Sequence, residues 1–482
     1  MKVAFGLELK TQYHHNRKIN HILRSKSMTM GKRKPQNQQN LWINTNNLRK
    51  TAGHPFYQKL NEILTKHGFD RLIEERCAKF YAPVMGRPSI PPSVYFRMLL
   101  VGYFEGIDSE RGIAWRVSDS LALRRFLGYA LDECTPDHST VSRTRRLIDV
   151  ETHQEVFNWI LKVLAKEGLL RGKTIGVDAT TLEANAALRS IVRRDTGESY
   201  EEFMRGLAKA SGIETPTRRE LVKLDKKRKK KTSNKEWGHP HDPDSAVAKM
   251  KDGRTHMAHK VEHAMDMETE AIIAVTLSGA EEGDTATLPE TLFQAEENMD
   301  AVLQDEDAKE KLSKESLSEV VTDKGYHSEE VLVQMEEGGV RSYVSEPDRG
   351  RRRWVGKERE RRAVYANRRR VRGVRGRALM RKRGEYLERS FAHVYDRGGM
   401  RRLHLRGRGN ILKRLLVHVG GFNLGLVIRR VFGRGTPRGL ACLYICIFDG
   451  LRGLYGMFKR HIRRVHIGLG DWYWRMFMRL VV

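Results

Sequence analysis

"VVTDKGYHSEEVL", residues 320–332, decides how the rest of the chain is read. Val320, Val321 and Thr322 form a β-branched run of the kind that fills a buried strand. The run stops at Asp323. Gly325, Ser328 and the spacing of Val331 and Leu332 then mark a turn and the start of a helix. A buried strand that ends on a carboxylate presents that carboxylate at the edge of its sheet.

Upstream, "KTIGVDATTL" (173–182) predicts a strand in which Asp178 follows Ile175 and Val177. "THMAHKVEHAMD" (255–266) and "AIIAVTLSG" (271–279) predict two more, joined by a turn at "ETEA". A helix is expected over 286–299, and "VRSYVSE" (340–346) closes the set. Strand, strand, strand, helix, strand, helix, strand is the order of a ribonuclease-H-like α/β fold with a mixed sheet. In that layout the first and fourth strands are neighbours. Asp178 and Asp323, 145 residues apart in the chain, are then expected side by side.

Two adjacent carboxylates repel, and each raises the pKa of the other unless a cation neutralises them. Hard divalent cations do so through oxygen ligands. A pair of such ions about 3.5–4 Å apart can serve both the attacking and the leaving oxygen of phosphoryl transfer. A third carboxylate is sought among Glu358, Glu360, Glu385 and Glu388. Only "GEYLERSFAHVYD" (384–396) puts one in a helix with an apolar face, formed by Leu387, Phe391 and Val394. Glu388 borders that face, and Glu385 is the near alternative. Either Asp alone reads more simply as a turn residue or helix cap; the order of the elements is what favours a shared site. His239 and His241 in "HPHDPD" suggest a polar loop rather than zinc.

The chain has 482 residues and a formal net charge of +29. From 351 to 482 there are 35 Lys/Arg against 7 Asp/Glu, while residues 1–350 carry 54 against 53. One third of the chain therefore holds nearly the whole imbalance, and such a surface suits a polyanion. The late apolar stretch "GLACLYICIFDGLRGLYGMF" is interrupted by Asp449 and Arg452, which argues against a membrane span. Four cysteines make no disulfide framework, so a reducing cytoplasm is expected, and Cys442 and Cys446 read as core residues one helical turn apart.

Four segments are expected. Residues 1–50 form a polar, disordered leader, with Met28 and Met30 as possible starts. Residues 51–150 form a helical N-terminal domain. Residues 151–432 form the catalytic domain, with a charged, helical insertion at about 186–250. Residues 433–482 form a basic tail. Within the helical domain, "TPDHSTVSRTRRLIDV" (135–150) starts a helix capped near Asp137. Its exposed face would carry Ser139, Ser142, Arg143, Arg145 and Arg146, as a DNA-reading helix would.

"GVDATTLEANAA", "VTDKGYHSEEVL" and "ERSFAHVYDRGGMRRLHLRGRGNILKRLLVHVGGFNLGL" resemble blocks of bacterial insertion-sequence DDE transposases. "GRPSIPPSVYFRMLLVGYFEGIDSERGIAWRVSDSLALRRFLGY" resembles the InsH-type N-terminal domain of many of them. The resemblance implies an RNase-H-like core, double-stranded DNA as partner (terminal inverted repeats and target), and two Mg²⁺ ions for which Mn²⁺ can substitute. It maps the catalytic and metal-binding carboxylates onto Asp178, Asp323 and Glu388. Relatives often carry Tyr and Arg before that Glu and Lys after it. Here Gly384 stands four before and Tyr395 seven after, with Arg383, Arg389 or Arg397 as substitutes. Arg368, Arg369, Arg370, Arg383 and Arg389 are the expected phosphate contacts. A homo-oligomer that pairs the two ends, acting on chromosomal DNA, completes the expectation. The rival readings are an RNase-H-like protein that binds nucleic acid without cutting it, and a plain metal-dependent nuclease.

Overall fold

The computed structural model describes residues 54–82, 89–228, 233–250, 253–348, 350, 352–439, 450, 451, 454, 455 and 457. The expected leader, Cys442 and Cys446, and most of the basic tail lie outside the described residues.

Helices come first: α1 (Pro55–Lys66), α2 (Phe69–Cys77), α3 (Pro92–Glu105), α4 (Glu110–Asp119), α5 (Leu121–Leu127), α6 (His138–Leu147) and α7 (Val150–Lys166). α3 opens on Pro92, where a missing N–H costs nothing, and stops at Gly106, whose φ of 70° only glycine adopts freely. Ser93 through Tyr103 are all buried, so this apolar helix is the centre of the bundle. Its one buried charge, Arg97, is met by the Asp70 carboxylate at 2.8 and 2.9 Å. Side-chain caps start the next helices: Ser109 for α4, Asp137 for α6 and Asp149 for α7.

The sheet follows. β1 (Thr174–Glu183) leads into β2 (Val192–Arg193), α8 (Tyr200–Ala210), α9 (Arg218–Lys227), β3 (Trp237–Gly238) and β4 (Ala246–Lys249). Next come β5 (Thr255–Asp266), β6 (Ile272–Gly279), α10 (Asp284–Leu303), α11 (Glu306–Lys309), β7 (Glu319–Thr322), α12 (Glu329–Glu337) and β8 (Arg341–Val344). α13 (Glu358–Arg372), α14 (Val374–Phe391) and α15 (Arg408–Phe432) complete the described elements. β5 is antiparallel to both β1 and β6, whereas β7 lies parallel to β1 and β8 parallel to β7. The spatial order β6–β5–β1–β7–β8 is that of an RNase-H-like sheet.

Two departures from the sequence reading concern the insertion. α8 and α9 form as expected, each with a reciprocal capping box, Ser199 with Glu202 and Thr217 with Glu220. The segment is not only helical, however. β2 pairs with β3, and β4 adds to the main sheet along β5. Ala184, Ile191, Trp237 and Met257 bury a second small core beneath it. The "HPHDPD" loop is exposed at Pro240, His241, Pro243 and Asp244 but anchored at its middle. Asp242 is fully buried, its carboxylate 3.1 Å from His259 Nε2 and accepting the Gly407 N–H at 3.2 Å.

The basic stretch 356–396 is helical almost throughout. It is two helices broken at Gly373, and α14 runs on into a π-helical turn, Ala392–Arg397. α15 is long and apolar enough to cross a bilayer, but 89% of its most apolar window is buried inside the protein. It packs on α7, α3 and β6. Asn423 fastens it to the sheet by accepting the Ile272 N–H at 3.0 Å and donating to the Ile272 carbonyl at 2.8 Å. The described residues beyond Gly53 thus fall in one compact unit, with bundle and sheet sharing one core.

Candidate active site

β1 and β7 run parallel with Thr174 opposite Glu319, Ile175 opposite Val320 and Gly176 opposite Val321. Two residues further along each chain stand Asp178 and Asp323. Neighbouring strands lie about 4.8 Å apart, so this register sets the two carboxylates next to each other. Burial raises the Asp178 carboxyl above its usual range. The Arg383 guanidinium and the Ala179 N–H pull it down, and the Asp323 charge pushes it up again. Arg383 reaches Asp178 Oδ2 from α14 at 2.8 Å. Its stem crosses Gly176, where an added Cβ would sit 3.5 Å from Arg383 Cγ and 2.4 Å from Met267 Cε.

Asp323 is also the cap that the simpler reading foresaw. Its Oδ1 accepts the Gly325 N–H at 2.8 Å and closes a tight turn over Lys324–Tyr326. Gly325 is there because a Cβ would stand 2.3 Å from Asp284 Oδ2 and 3.1 Å from Asp323 Oδ1. Asp284 therefore belongs to the surroundings of Asp323.

α14 places the third carboxylate differently from the two Asp residues. Glu388 is exposed, and among the described residues no side-chain hydrogen bond or ion pair engages it. Lys382 and Arg389 hold the helix to the β5–β6 turn, through the Met267 carbonyl at 2.8 Å and Glu270 at 3.1 Å. At about 100° per residue, Glu388 lies on the opposite flank of the buried face from both, and Arg383 rather than Glu388 is the α14 residue that meets Asp178. Glu385, the alternative, is paired with Arg389. Among the described residues no cluster of three or more His, Cys, Asp or Glu is preassembled to hold a metal.

His263 stands directly opposite Asp178 on β5 and is fully buried. Ser390 Oγ donates to the Leu387 carbonyl, so His263 Nδ1–H donates to Ser390 Oγ at 3.2 Å. Nε2 is then left to accept from the Tyr395 hydroxyl at 2.5 Å. Burial lowers this imidazole to about 3, so it is neutral. Tyr395 is thus a buried anchor.

A second buried network lies on the other face of the sheet. Glu262, 1% exposed, accepts from Thr287, from Thr291 at 2.7 Å and from the Tyr326 hydroxyl at 3.1 Å. Lys260 bridges it to Asp284, at 3.0 and 2.7 Å. The Tyr326 phenol is pushed far up by burial, with Glu262, Asp284 and Asp178 adding to the rise. Sequence reasoning passed over Lys260, Glu262 and Asp284. In a strand, an alternating charge looks solvent-facing, and only the helix covering that face makes it buried.

The expected DNA contacts divide. On α6, Arg143 and Arg146 are exposed, and Ser139 and Ser142 half-buried, on one accessible face. Arg145 does not belong to that face. It is 7% exposed and bonded to Glu110 at 2.7 Å, Asn410 at 2.6 Å and Ser142 at 3.1 Å. In the run 368–370, only Arg369 is exposed. Arg368 grips Glu346 with two bonds of 2.8 Å, and Arg370 holds the Ser342 carbonyl and hydroxyl at 2.9 and 2.8 Å. Arg383 and Arg389 are likewise committed, to Asp178 and to Glu270 and Glu385.

Residues 44–147 match a family model described as a transposase domain (DUF772), and residues 210–424 match one described as a transposase DDE domain. The second match spans Asp323 and Glu388, while Asp178 precedes it. No curated protein and no solved structure matches the chain. A helical domain and an RNase-H-like core, each with its own transposase match, identify this chain as a member of the insertion-sequence DDE transposases, enzymes that cleave and join DNA strands.

Proposed function

We infer that Asp178, Asp323 and Glu388 form the catalytic carboxylate set with which this transposase cuts its element's ends and joins them to target DNA. The observation that supports the reading is the parallel register of β1 and β7, which brings two carboxylates from distant parts of the chain onto neighbouring strands. DDE transposases generally work with a divalent metal. The donors suit a hard cation: all are carboxylate oxygens, and one of them already attracts a guanidinium. Two Mg²⁺ ions held there would supply water activation and charge stabilisation at the phosphorus.

The chain's own residues prepare that chemistry. The Asp323 turn and the Gly325–Asp284 contact fix one carboxylate, and the β1–β7 pairing fixes the other. α14 brings Glu388 along one flank. Arg143 and Arg146, exposed on α6, would meet the terminal repeats, and the exposed Arg369 would meet backbone phosphate.

The test is cleavage of labelled end DNA by Asp178→Asn, Asp323→Asn, Glu388→Gln and Glu385→Gln proteins in Mg²⁺ and in Mn²⁺. The first three should lose cleavage while keeping end binding, because affinity comes from the basic surface. Glu385→Gln should still cut. Cleavage by both Asp variants would sink the reading; cleavage by Glu388→Gln with a dead Glu385→Gln would move the third carboxylate by one turn. Binding without any cleavage by the wild type would favour a non-catalytic binding protein.

A further inference from the structure

Arg383 is the only cation bonded to Asp178 among the described residues, and its situation is unusual for a structural ion pair. Its Nη1 meets Asp178 Oδ2 at 2.8 Å, yet its Nε is buried with no hydrogen-bond partner. A structural arginine normally uses its planar fork in full, as Arg97 does on Asp70 with Nε and Nη2. Arg383 instead holds one oxygen with one nitrogen. The stem passes over Gly176, where an added Cβ would be 3.5 Å from its Cγ, so the guanidinium can swing off Asp178 about its outer bonds. On the same helix, Arg377 and Arg381 are exposed and follow the flank that carries Glu388. A guanidinium released from Asp178 thus stays beside β1, on a helix that also carries exposed arginines.

We propose that Arg383 is the resident counter-ion of Asp178, displaced by divalent metal, and that once displaced it binds a phosphate of the DNA. This rests on the reading of Asp178 as a metal ligand. The physical content is an exchange of partners. In the free protein one monovalent cation offsets the Asp178 charge. A divalent ion at Asp178 removes the reason for the guanidinium to stay, and a phosphate oxygen offers the bidentate partner that Asp178 does not. Metal and DNA then favour each other's binding, by the same factor in both directions. The arrangement also keeps a lone divalent ion weakly bound until DNA arrives.

The experiment uses the full-length protein, Mn²⁺ as the metal probe, Ca²⁺ as a second divalent ion, and a short duplex of arbitrary sequence. Free Mn²⁺ is followed by electron paramagnetic resonance, and duplex binding by anisotropy at matched ionic strength. Without DNA, Arg383→Gln should bind Mn²⁺ roughly tenfold more tightly than the wild type, because the cation that competes for Asp178 is gone. Arg383→Lys, which keeps the charge, should remain near the wild type and shows that the helix has not simply been disturbed. Mn²⁺ should raise the duplex affinity of the wild type by about fivefold or more, and the duplex should raise Mn²⁺ affinity by the same factor, with Ca²⁺ acting in the same direction. Both effects should shrink in Arg383→Gln. Unchanged or weaker Mn²⁺ binding by Arg383→Gln overturns the exchange. Coupling of wild-type size in that variant assigns it to ions bridging carboxylate and phosphate, and overturns the second half. Asp178→Asn separates the two levels: if it still binds Mn²⁺ normally, the metal-ligand reading of Asp178 fails first.

Discussion

Tyr395 bonds His263 through the hydroxyl and Nε2, 132 residues apart in the chain, and His263 pairs across the sheet with Asp178. The π turn at 392–397 carries Tyr395, so an irregularity of the helix is fastened to the strand beside the first carboxylate. Glu388 rides on the same helix. Tyr395→Phe leaves a buried imidazole nitrogen unpaired and should cost about 1–3 kcal/mol of stability. It should also slow cleavage by more than it weakens end binding, because the helix that presents Glu388 loses its tether. Melting and single-turnover cleavage check the two halves. A stability loss with an unchanged cleavage rate would confine Tyr395 to the core.

The exposed and the engaged arginines of 368–370 should separate in a salt titration. Arg369→Ala should reduce the log–log slope of DNA affinity against salt by about 0.9, one phosphate's share. Arg368→Ala and Arg370→Ala should leave the slope nearly unchanged. They should instead lower the melting temperature, since each leaves a partner on the sheet, Glu346 or Ser342, without its arginine.

On α6 the neighbouring positions 143 and 145 should behave oppositely. Arg143→Ala should lower discrimination between end DNA and random DNA by roughly 1–3 kcal/mol if it reads a guanine edge. Arg145→Ala strips Glu110 of its buried partner and should cost about 3 kcal/mol or more of stability. Competition binding against random duplex and chemical denaturation measure the pair. Equal weakening on both DNAs would give Arg143 to the phosphate backbone.

Acid should unfold this protein early. Burial holds His153 at about 4 and His263 at about 3, against about 6.5 in an unfolded chain. The folded values are depressed, so the stability they carry is present above about pH 6.5. It is lost as the pH falls toward the folded values, by up to about 1.4 kcal/mol per pH unit for each imidazole. At pH 5, unfolding should take up about one proton per histidine, and His263→Gln should remove one of them. Asp178 works the other way. Its folded pKa is raised, so its contribution is present at low pH and lost as the pH rises through the folded value. In a chelator at neutral pH, Asp178→Asn should therefore melt above the wild type, and the gap should close on acidification. Calorimetry across that range decides both signs.

The strand order and the two Asp positions were legible because β-branched runs and turn residues are local signals, and Val320–Asp323 carries both. The misread residues are those whose partners are remote. Helical spacing puts Arg145 beside Arg143 and Arg146. It cannot announce that Glu110 and Asn410 will enclose Arg145. Arg368 and Arg370 were hidden in the same way by Glu346 and Ser342. β4 was missed because four residues of mixed polarity in a charged insertion give no period of their own; the edge of β5 makes them a strand. Glu262 could not be found from its strand alone, since Thr287, Thr291 and Tyr326 arrive from two later elements.

α15 ends at Phe432, and it packs on α3 and α7 as well as on the sheet. The helical domain therefore cannot finish its own core until the chain has been made almost to that point. During synthesis, α3 and α7 wait with apolar surface uncovered while some 240 further residues leave the ribosome. Such long-range closure slows folding and exposes the nascent chain to aggregation and proteolysis. It also means that a prematurely terminated product, even one retaining every residue through Glu388, lacks the helix that joins the two halves. Translation past 432 is thus the step that commits the polypeptide to a competent enzyme.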